Sequence, residues 1–223
     1  MPWPATSFLG QLSETTRQAV LHLGTLRHLA AGEIVIQEGD RPDFAVVLLS
    51  GVYKVTGVIE SGREALLAIR VGGDLVGELG LADGQPRSAT VRAGTTGRCR
   101  RIGRPEYEAF LDGHPDAGRA VGRAIAAKLR SATRRRVEFA TCPAPVRVAR
   151  VLRELIETHG VRRPGAVSIE VALTQPELAA LAGATEPTVQ RVLSTLREQG
   201  VVQTGYRRLS VLDEVGLERL ART

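Results

Sequence analysis

Between Val76 and Thr90 the chain runs Val76-Gly77-Glu78-Leu79-Gly80-Leu81-Ala82-Asp83-Gly84-Gln85-Pro86-Arg87-Ser88-Ala89-Thr90. Gly77, Gly80 and Gly84 permit tight backbone paths that leave amide N–H groups free to face an anion. Arg87 carries a planar fork of donors matched to a phosphate, and Ser88 adds a hydroxyl beside it. Glu78 accepts hydrogen bonds only when ionised, so it repels a phosphate and suits a sugar hydroxyl. One acceptor and one cationic fork on a compact turn describe a receptor for a ribose-phosphate. As a bare Gly-x-x-Gly…Arg-Ser pattern, the stretch fits an ordinary surface loop with an arginine better.

A second set of residues could read bases. From Leu173 to Leu193 the sequence has the layout of two short helices around Gly183. Thr174 and Glu177 are spaced as a capping box, with Pro176 in the first turn. Thr185 is expected to cap the second helix, with Pro187 just inside it. Val189, Val192, Leu193 and Leu196 form its inward face, which leaves Glu186, Gln190, Arg191 and Ser194 outward, where a recognition helix meets base edges. Arg191 can bridge guanine O6 and N7, Glu186 can accept only from a cytosine amine, and Pro187 donates nothing. Val201 to Val211 reads as a β-hairpin wing with Arg207 and Arg208 near its tip. Helical hairpins with a threonine cap also occur in proteins that never meet DNA.

The elements that must position these groups follow from composition and periodicity. The 223 residues are 43% hydrophobic and 24% charged, which suits one or two globular domains. No apolar run approaches the roughly 20 residues of a membrane span, and Met1 to Ser7 lacks the charged start and apolar core of a signal peptide. A cytoplasmic protein without a membrane partner is expected. Cys99 and Cys142 are too few for a disulfide framework or a cysteine-rich metal site and read as reduced thiols. No metal site and no cofactor is predicted. There is no Ser-His-Asp set and no paired acidic motif, so no catalytic residues and no enzyme are predicted. The formal net charge of +6 is compatible with nucleic acid.

Leu12, Ala19, Val20, Leu23 and Leu26 recur at near-helical spacing, which predicts short helices over residues 8–30. From Gly32 the period changes. Short strands around Ile34, Phe44–Leu49, Tyr53–Thr56, Leu66–Ile69, Ala89–Val91 and Arg100–Ile102 alternate with glycine-rich turns, as in an antiparallel roll. A helix at 105–111 precedes a long one at 115–140, whose stripe of Val121, Ile125, Leu129 and Ala132 is interrupted at Arg134-Arg135-Arg136. Thr141 to Pro145 reads as a stiff hinge. An amphipathic helix from Val146, a loop at 159–165 and a strand at 167–171 lead into the helical pair. The fold class is α+β, divided as a roll over 1–114, a long helix over 115–140, a hinge over 141–145 and a winged helix-turn-helix over 146–223.

Gly77-Glu78-Leu79-Gly80-Leu81, then Gly84-Gln85 and Arg87-Ser88-Ala89-Thr90-Val91-Arg92-Ala93, closely resembles the phosphate-binding cassette of cyclic-nucleotide-binding domains. More narrowly, it resembles that of the CRP/FNR family of bacterial transcription factors, and residues 146–212 resemble that family's DNA-binding domain. The resemblance implies a cyclic nucleotide, cyclic AMP or another, as the effector, held by Gly77, Glu78, Leu79, Arg87 and Ser88. Glu78 would take the ribose 2′-hydroxyl, and Arg87 and Ser88 the cyclic phosphate. The family's base-facing pair falls on Ala132 and Thr133, of which only Thr133 has a hydroxyl for a base amine. The resemblance further implies a homodimer through Val121, Ile125, Leu129 and Ala132, contact with RNA polymerase, and double-stranded DNA read by Thr185, Glu186, Thr188, Gln190, Arg191, Arg207 and Arg208. Glu186-Pro187 departs from the Arg-Glu common in the family, so its usual half-site is not implied. Other sensors of the same fold fit less well. Iron–sulfur members need an N-terminal cysteine cluster; haem members need axial ligands, for which Pro2 is one candidate, but His22, His28, His114 and His159 do not lie where a pocket histidine is expected. A constitutive DNA binder on the same fold stays open.

Overall fold

The computed structural model describes residues 3–58, 62, 64–169, 171–205 and 208–222. The chain divides into two compact units, Met1–Ala132 and Thr133–Thr223.

Among the described residues of the first unit, a 3-10 turn (Leu9–Gln11) and helix α1 (Glu14–His22) precede eight strands. These are β1 (Thr25–Leu29), β2 (Ile34–Ile36), β3 (Phe44–Ser50), β4 (Val52–Val58), β5 (Glu64–Val71), β6 (Leu75–Val76), β7 (Thr90–Ala93) and β8 (Gly97–Gly103), with helix α2 (Glu78–Asp83) between β6 and β7. They pair as two four-stranded antiparallel sheets, in the orders β1-β8-β3-β6 and β2-β7-β4-β5. Strand β3 shows why its sequence is apolar without alternation. Val46 and Leu48 join a buried cluster with Tyr53, Val76, Val91 and Cys99 of both sheets. Ala45 and Val47 join another, with Phe8, Leu9, Val20, Tyr107 and Phe110. A strand covered on both faces reads as one continuous apolar run.

Helix α3 (Arg104–Gly113) and the start of helix α4 (Pro115–Thr141) close that second cluster through Tyr107, Phe110, Ala117, Ala120 and Val121. Asp116 of α4 accepts from the hydroxyls of Ser13 (3.0 Å) and Thr16 (2.8 Å), which ties α1 to it. The helices expected over 8–30 end at His22. Residues 25–29 form β1 instead, because they pair residue for residue with β8, and tertiary pairing outweighs local helical spacing.

Helix α4 crosses the unit boundary. In the second unit α5 (Ala144–His159) follows α4 with only Cys142 and Pro143 between them; Pro143 is its N-cap and Pro145 lies in its first turn. Helix therefore covers Thr141, Ala144 and Pro145, where the sequence predicted a hinge over 141–145, because proline is tolerated in a first turn where its missing N–H has no partner to lose. The predicted loop at 159–165 contains a strand, β9 (Gly160–Arg163), paired with β10 (Ala166–Ile169). Helices α6 (Gln175–Ala182) and α7 (Glu186–Glu198) follow, then β11 (Val202–Gly205) and β12 (Arg208–Val211), completing a sheet in the order β11-β12-β10-β9. A last helix, α8 (Glu214–Arg222), has no counterpart in the sequence reading. It buries Leu217 and Ala221, and Arg150 of α5 donates to Ala221 O at 2.8 Å.

Candidate functional site

The segment from β6 to β7 turns at Gly77, whose φ of +85° is left-handed. A Cβ there would lie 2.8 Å from Arg87 Nη1, so only glycine lets the backbone pass so close to the guanidinium. Main-chain bonds fix the far end of the segment. Arg87 N donates to Asp40 O, and Gly39 N donates to Arg87 O, both at 2.9 Å, which ties it to the turn between β2 and β3.

Arg87 itself points inward and is buried. Nη1 donates to Gly77 O at 2.7 Å, Nη2 donates to Phe44 O at 2.5 Å, and the guanidinium lies 4.7 Å from the centre of the Phe44 ring. Its Nε is buried without a partner among the described residues. Burial pushes the Arg87 pKa down, and the charges of Asp43 and Glu78 push it back. Glu78 is also buried, 2% exposed, and accepts from Lys128 Nζ of α4 at 2.7 Å. Lys128 donates as well to Leu75 O at 2.9 Å. Desolvation lowers its pKa against the pull of Glu78, and desolvation raises that of the nearby Asp74.

In this structure Arg87 and Glu78 are both engaged by partners within the first unit, Glu78 by a residue of α4, since a buried charge needs partners at once. Leu79 and Ser88 are exposed at the surface of the segment, and Thr133 is exposed on α4 within the second unit. Lys128 was missed by the sequence reading. Nothing in helical spacing marks which turn of α4 meets the carboxylate of Glu78.

The residues expected at a dimer interface divide. Val121 is buried in the core of its own unit and Ile125, half-buried, packs on that core, whereas Leu129 (66% exposed) and Ala132 are at the surface. An apolar stripe on a helix cannot say whether its partner is the same chain or another copy.

In the second unit the capping box of α6 is complete. Thr174 Oγ1 accepts from Glu177 N at 3.3 Å, and Glu177 Oε2 accepts from Thr174 N at 2.8 Å. Thr185 occupies the N-cap position of α7, but its side chain makes no capping bond. Its hydroxyl pairs with that of Thr188 at 2.8 Å instead, which corrects the predicted cap. Val189, Val192, Leu193 and Leu196 are buried, while Glu186, Gln190 and Arg191 are exposed together. Gln190 Nε2 donates to Gln175 Oε1 at 2.7 Å. Arg197 of α7 donates to Thr204 Oγ1 of β11 at 3.1 Å, linking the second helix to the wing. Arg208 is exposed at the start of β12, and Arg207 lies outside the described residues.

A roll that carries this segment, followed by a winged helical pair, is the architecture that two family profiles describe. The cyclic nucleotide-binding domain matches residues 26–114, and the Crp-like helix-turn-helix domain matches residues 146–220. The chain belongs to the CRP/FNR family of transcription regulators. It is therefore a DNA-binding regulator with a cyclic nucleotide-binding domain, and not an enzyme. Among its relatives, a CRP-like cAMP-activated global transcriptional regulator of Mycobacterium tuberculosis is 29% identical over 191 residues, covering 86% of this chain and 85% of the relative. A cAMP-activated global transcriptional regulator of Pseudomonas aeruginosa is 28% identical over 201 residues, covering 82% and 93%. The crystal structure of a CRP/FNR-family regulator from Thermus thermophilus superposes with a TM-score of 0.72 at 29% identity, over 89% of this chain and 99% of that one. Among the described residues, no helix is long and apolar enough to cross a membrane.

Proposed function

We propose that this CRP/FNR regulator works as a homodimer whose affinity for DNA is set by a cyclic nucleotide bound in the roll. The observation that carries the reading is the unpartnered Nε of Arg87, a buried cationic donor in the segment whose sequence matches the cassette. A buried donor left unmade costs about 1–3 kcal/mol, and a phosphate oxygen satisfies it. The two carbonyls that Arg87 now holds are neutral acceptors. Phosphate oxygens are charged, so the exchange adds a charged acceptor to an already cationic donor and allows two parallel bonds to one group. Binding then consists of an exchange, in which the guanidinium leaves Gly77 O and Phe44 O for the cyclic phosphate beside Ser88. Glu78 takes the ribose hydroxyl and shares its carboxylate with Lys128. The cAMP-activated relatives of M. tuberculosis and P. aeruginosa support cyclic AMP as the first effector to try.

A second reading rests on the same geometry. Arg87 and Glu78 already have partners, as in a roll that needs no effector and leaves the protein constitutively competent for DNA. Calorimetric and thermal titration with cyclic AMP and cyclic GMP separates the two. An effector at about 100 times its dissociation constant stabilises the native state by roughly 2.7 kcal/mol. That ligand-dependent gain is expected for the wild type and lost in Arg87→Ala. Melting unchanged by both nucleotides leaves the constitutive regulator.

A further inference from the structure

The sequence places Gln190 on the outward face of α7 and gives it no partner. In the structure its side chain is held by Gln175, the first residue of α6, through the 2.7 Å bond from Gln190 Nε2 to Gln175 Oε1. Both side chains are exposed, so burial does not force this bond. We infer that Gln175 is a positioning residue which presets Gln190 to read an adenine in each half-site. The inference rests on the DNA-binding function of the family and adds to it one base and one supporting residue.

The argument is one of donors and acceptors. A glutamine amide has two N–H donors and one carbonyl oxygen. With one N–H given to Gln175, Gln190 presents one N–H beside one oxygen. In the major groove adenine offers N7, an acceptor, beside its N6 amine, a donor, and the two patterns match. Guanine offers two acceptors, N7 and O6, so Gln190 Oε1 would face O6 with no proton between them. Cytosine presents only its amine and thymine only O4 and a methyl group, so each satisfies half of the amide.

Position and entropy agree with this assignment. Gln190 lies one turn after Glu186 and next to Arg191, on the exposed face of the helix. A free glutamine gives up considerable rotamer freedom when it docks. One already held by Gln175 gives up less, which leaves more of the base contact as net affinity. Thr174 and Glu177 cap α6 at the residue before Gln175, so the acceptor stands on a fixed helix end.

The test uses the full-length protein with cyclic AMP present and absent. Random duplexes are selected with the wild type, and anisotropy then compares the enriched duplex with versions carrying guanine at single adenine positions. Each result is read as a ratio between two duplexes, so that a uniform loss of affinity cancels. The wild type is expected to favour adenine about tenfold or more at one position of each half-site. Gln190→Ala removes that preference. Gln175→Ala reduces it to a few-fold, and the double variant shows the ratio of Gln190→Ala. Gln175→Glu keeps the adenine preference, because a carboxylate accepts the same N–H, although it binds all DNA more weakly. The inference is overturned if guanine is enriched at that position, if Gln190→Ala selects the same sequences as the wild type, or if Gln175→Ala keeps the full preference. A wild type that binds no duplex at all contradicts the DNA-binding reading as well, whereas binding with an unaltered sequence preference contradicts this inference alone.

Discussion

Two cysteines in this chain meet opposite surroundings, and the contrast is measurable. Cys99 on β8 is wholly buried inside the roll, and burial pushes its thiol from 9.0 to about 11, against the pull of Arg27. At pH 9 only about one per cent of it is thiolate, the reactive form. Cys142, between α4 and α5, is half-buried beside Arg150, whose Nη1 lies 3.2 Å from its sulfur. A chromogenic disulfide reagent at pH 8 should therefore titrate one thiol in the native protein and two after denaturation. Two reactive native thiols would mean that β8 does not sit where the structure puts it. The same shift has a sign for stability. The unfolded thiol loses its proton near pH 9 and the folded one near 11, so Cys99 favours the native state below about pH 9 and ceases to do so as the pH climbs through 11. At this scale the sequence was informative about identity and silent about direction. Glu78, Arg87 and Ser88 were named through the resemblance to the cassette, since their types and spacing alone fit a surface loop. The inward turn of Arg87 and the pairing of Glu78 with Lys128 could not be read, because they depend on the Phe44 carbonyl and on α4, far away in sequence.

Helix ends and helix faces carry the next two expectations. Gly183 closes α6 with a φ of +58°, and a Cβ there would lie 2.6 Å from ring atoms of Phe139. Arg147 ties the same corner together, donating Nε to Ala182 O and Nη2 to Gly183 O, both at 2.8 Å, and Nη1 to Cys142 O at 2.5 Å. Gly183→Ala combines a left-handed strain of about 1–2 kcal/mol with a steric clash. Urea denaturation should show a loss of roughly 2–3 kcal/mol, part of which Phe139→Ala restores in the double variant. If the alanine is neutral, the ring is elsewhere. On α4, Ile125 packs on its own core, so a charge there would damage the roll before it tested any partner. Leu129 is the informative position. Leu129→Glu should leave the monomer folded and shift sedimentation from dimer to monomer. A wild type already monomeric at micromolar concentration, with cyclic AMP and DNA present, excludes the dimer. Elements that carry their own signal were readable: the continuous apolar run of β3, the capping box of α6 and the buried face of α7. Strand β1 was not, since its partner β8 lies some seventy residues on. Helix α8 was not either, since its short apolar face acquires meaning only against α5.

For the whole molecule, the claim is that an anion bound in the first unit alters what the second does with DNA. Helix α4 is the covalent route, since it begins in the core of the roll, carries Lys128 to Glu78 and runs almost directly into α5. An effector shifts the DNA equilibrium only by its differential affinity for the two states, and couplings of this kind span roughly 5–150-fold. The decisive measurement is the dissociation constant of a selected duplex, by anisotropy, for wild type and Arg87→Ala without effector, with cyclic AMP and with cyclic GMP. The account predicts that one nucleotide tightens wild-type binding by about tenfold or more, and that Arg87→Ala holds the effector-free value throughout. A wild-type constant that is the same in all three conditions would contradict it.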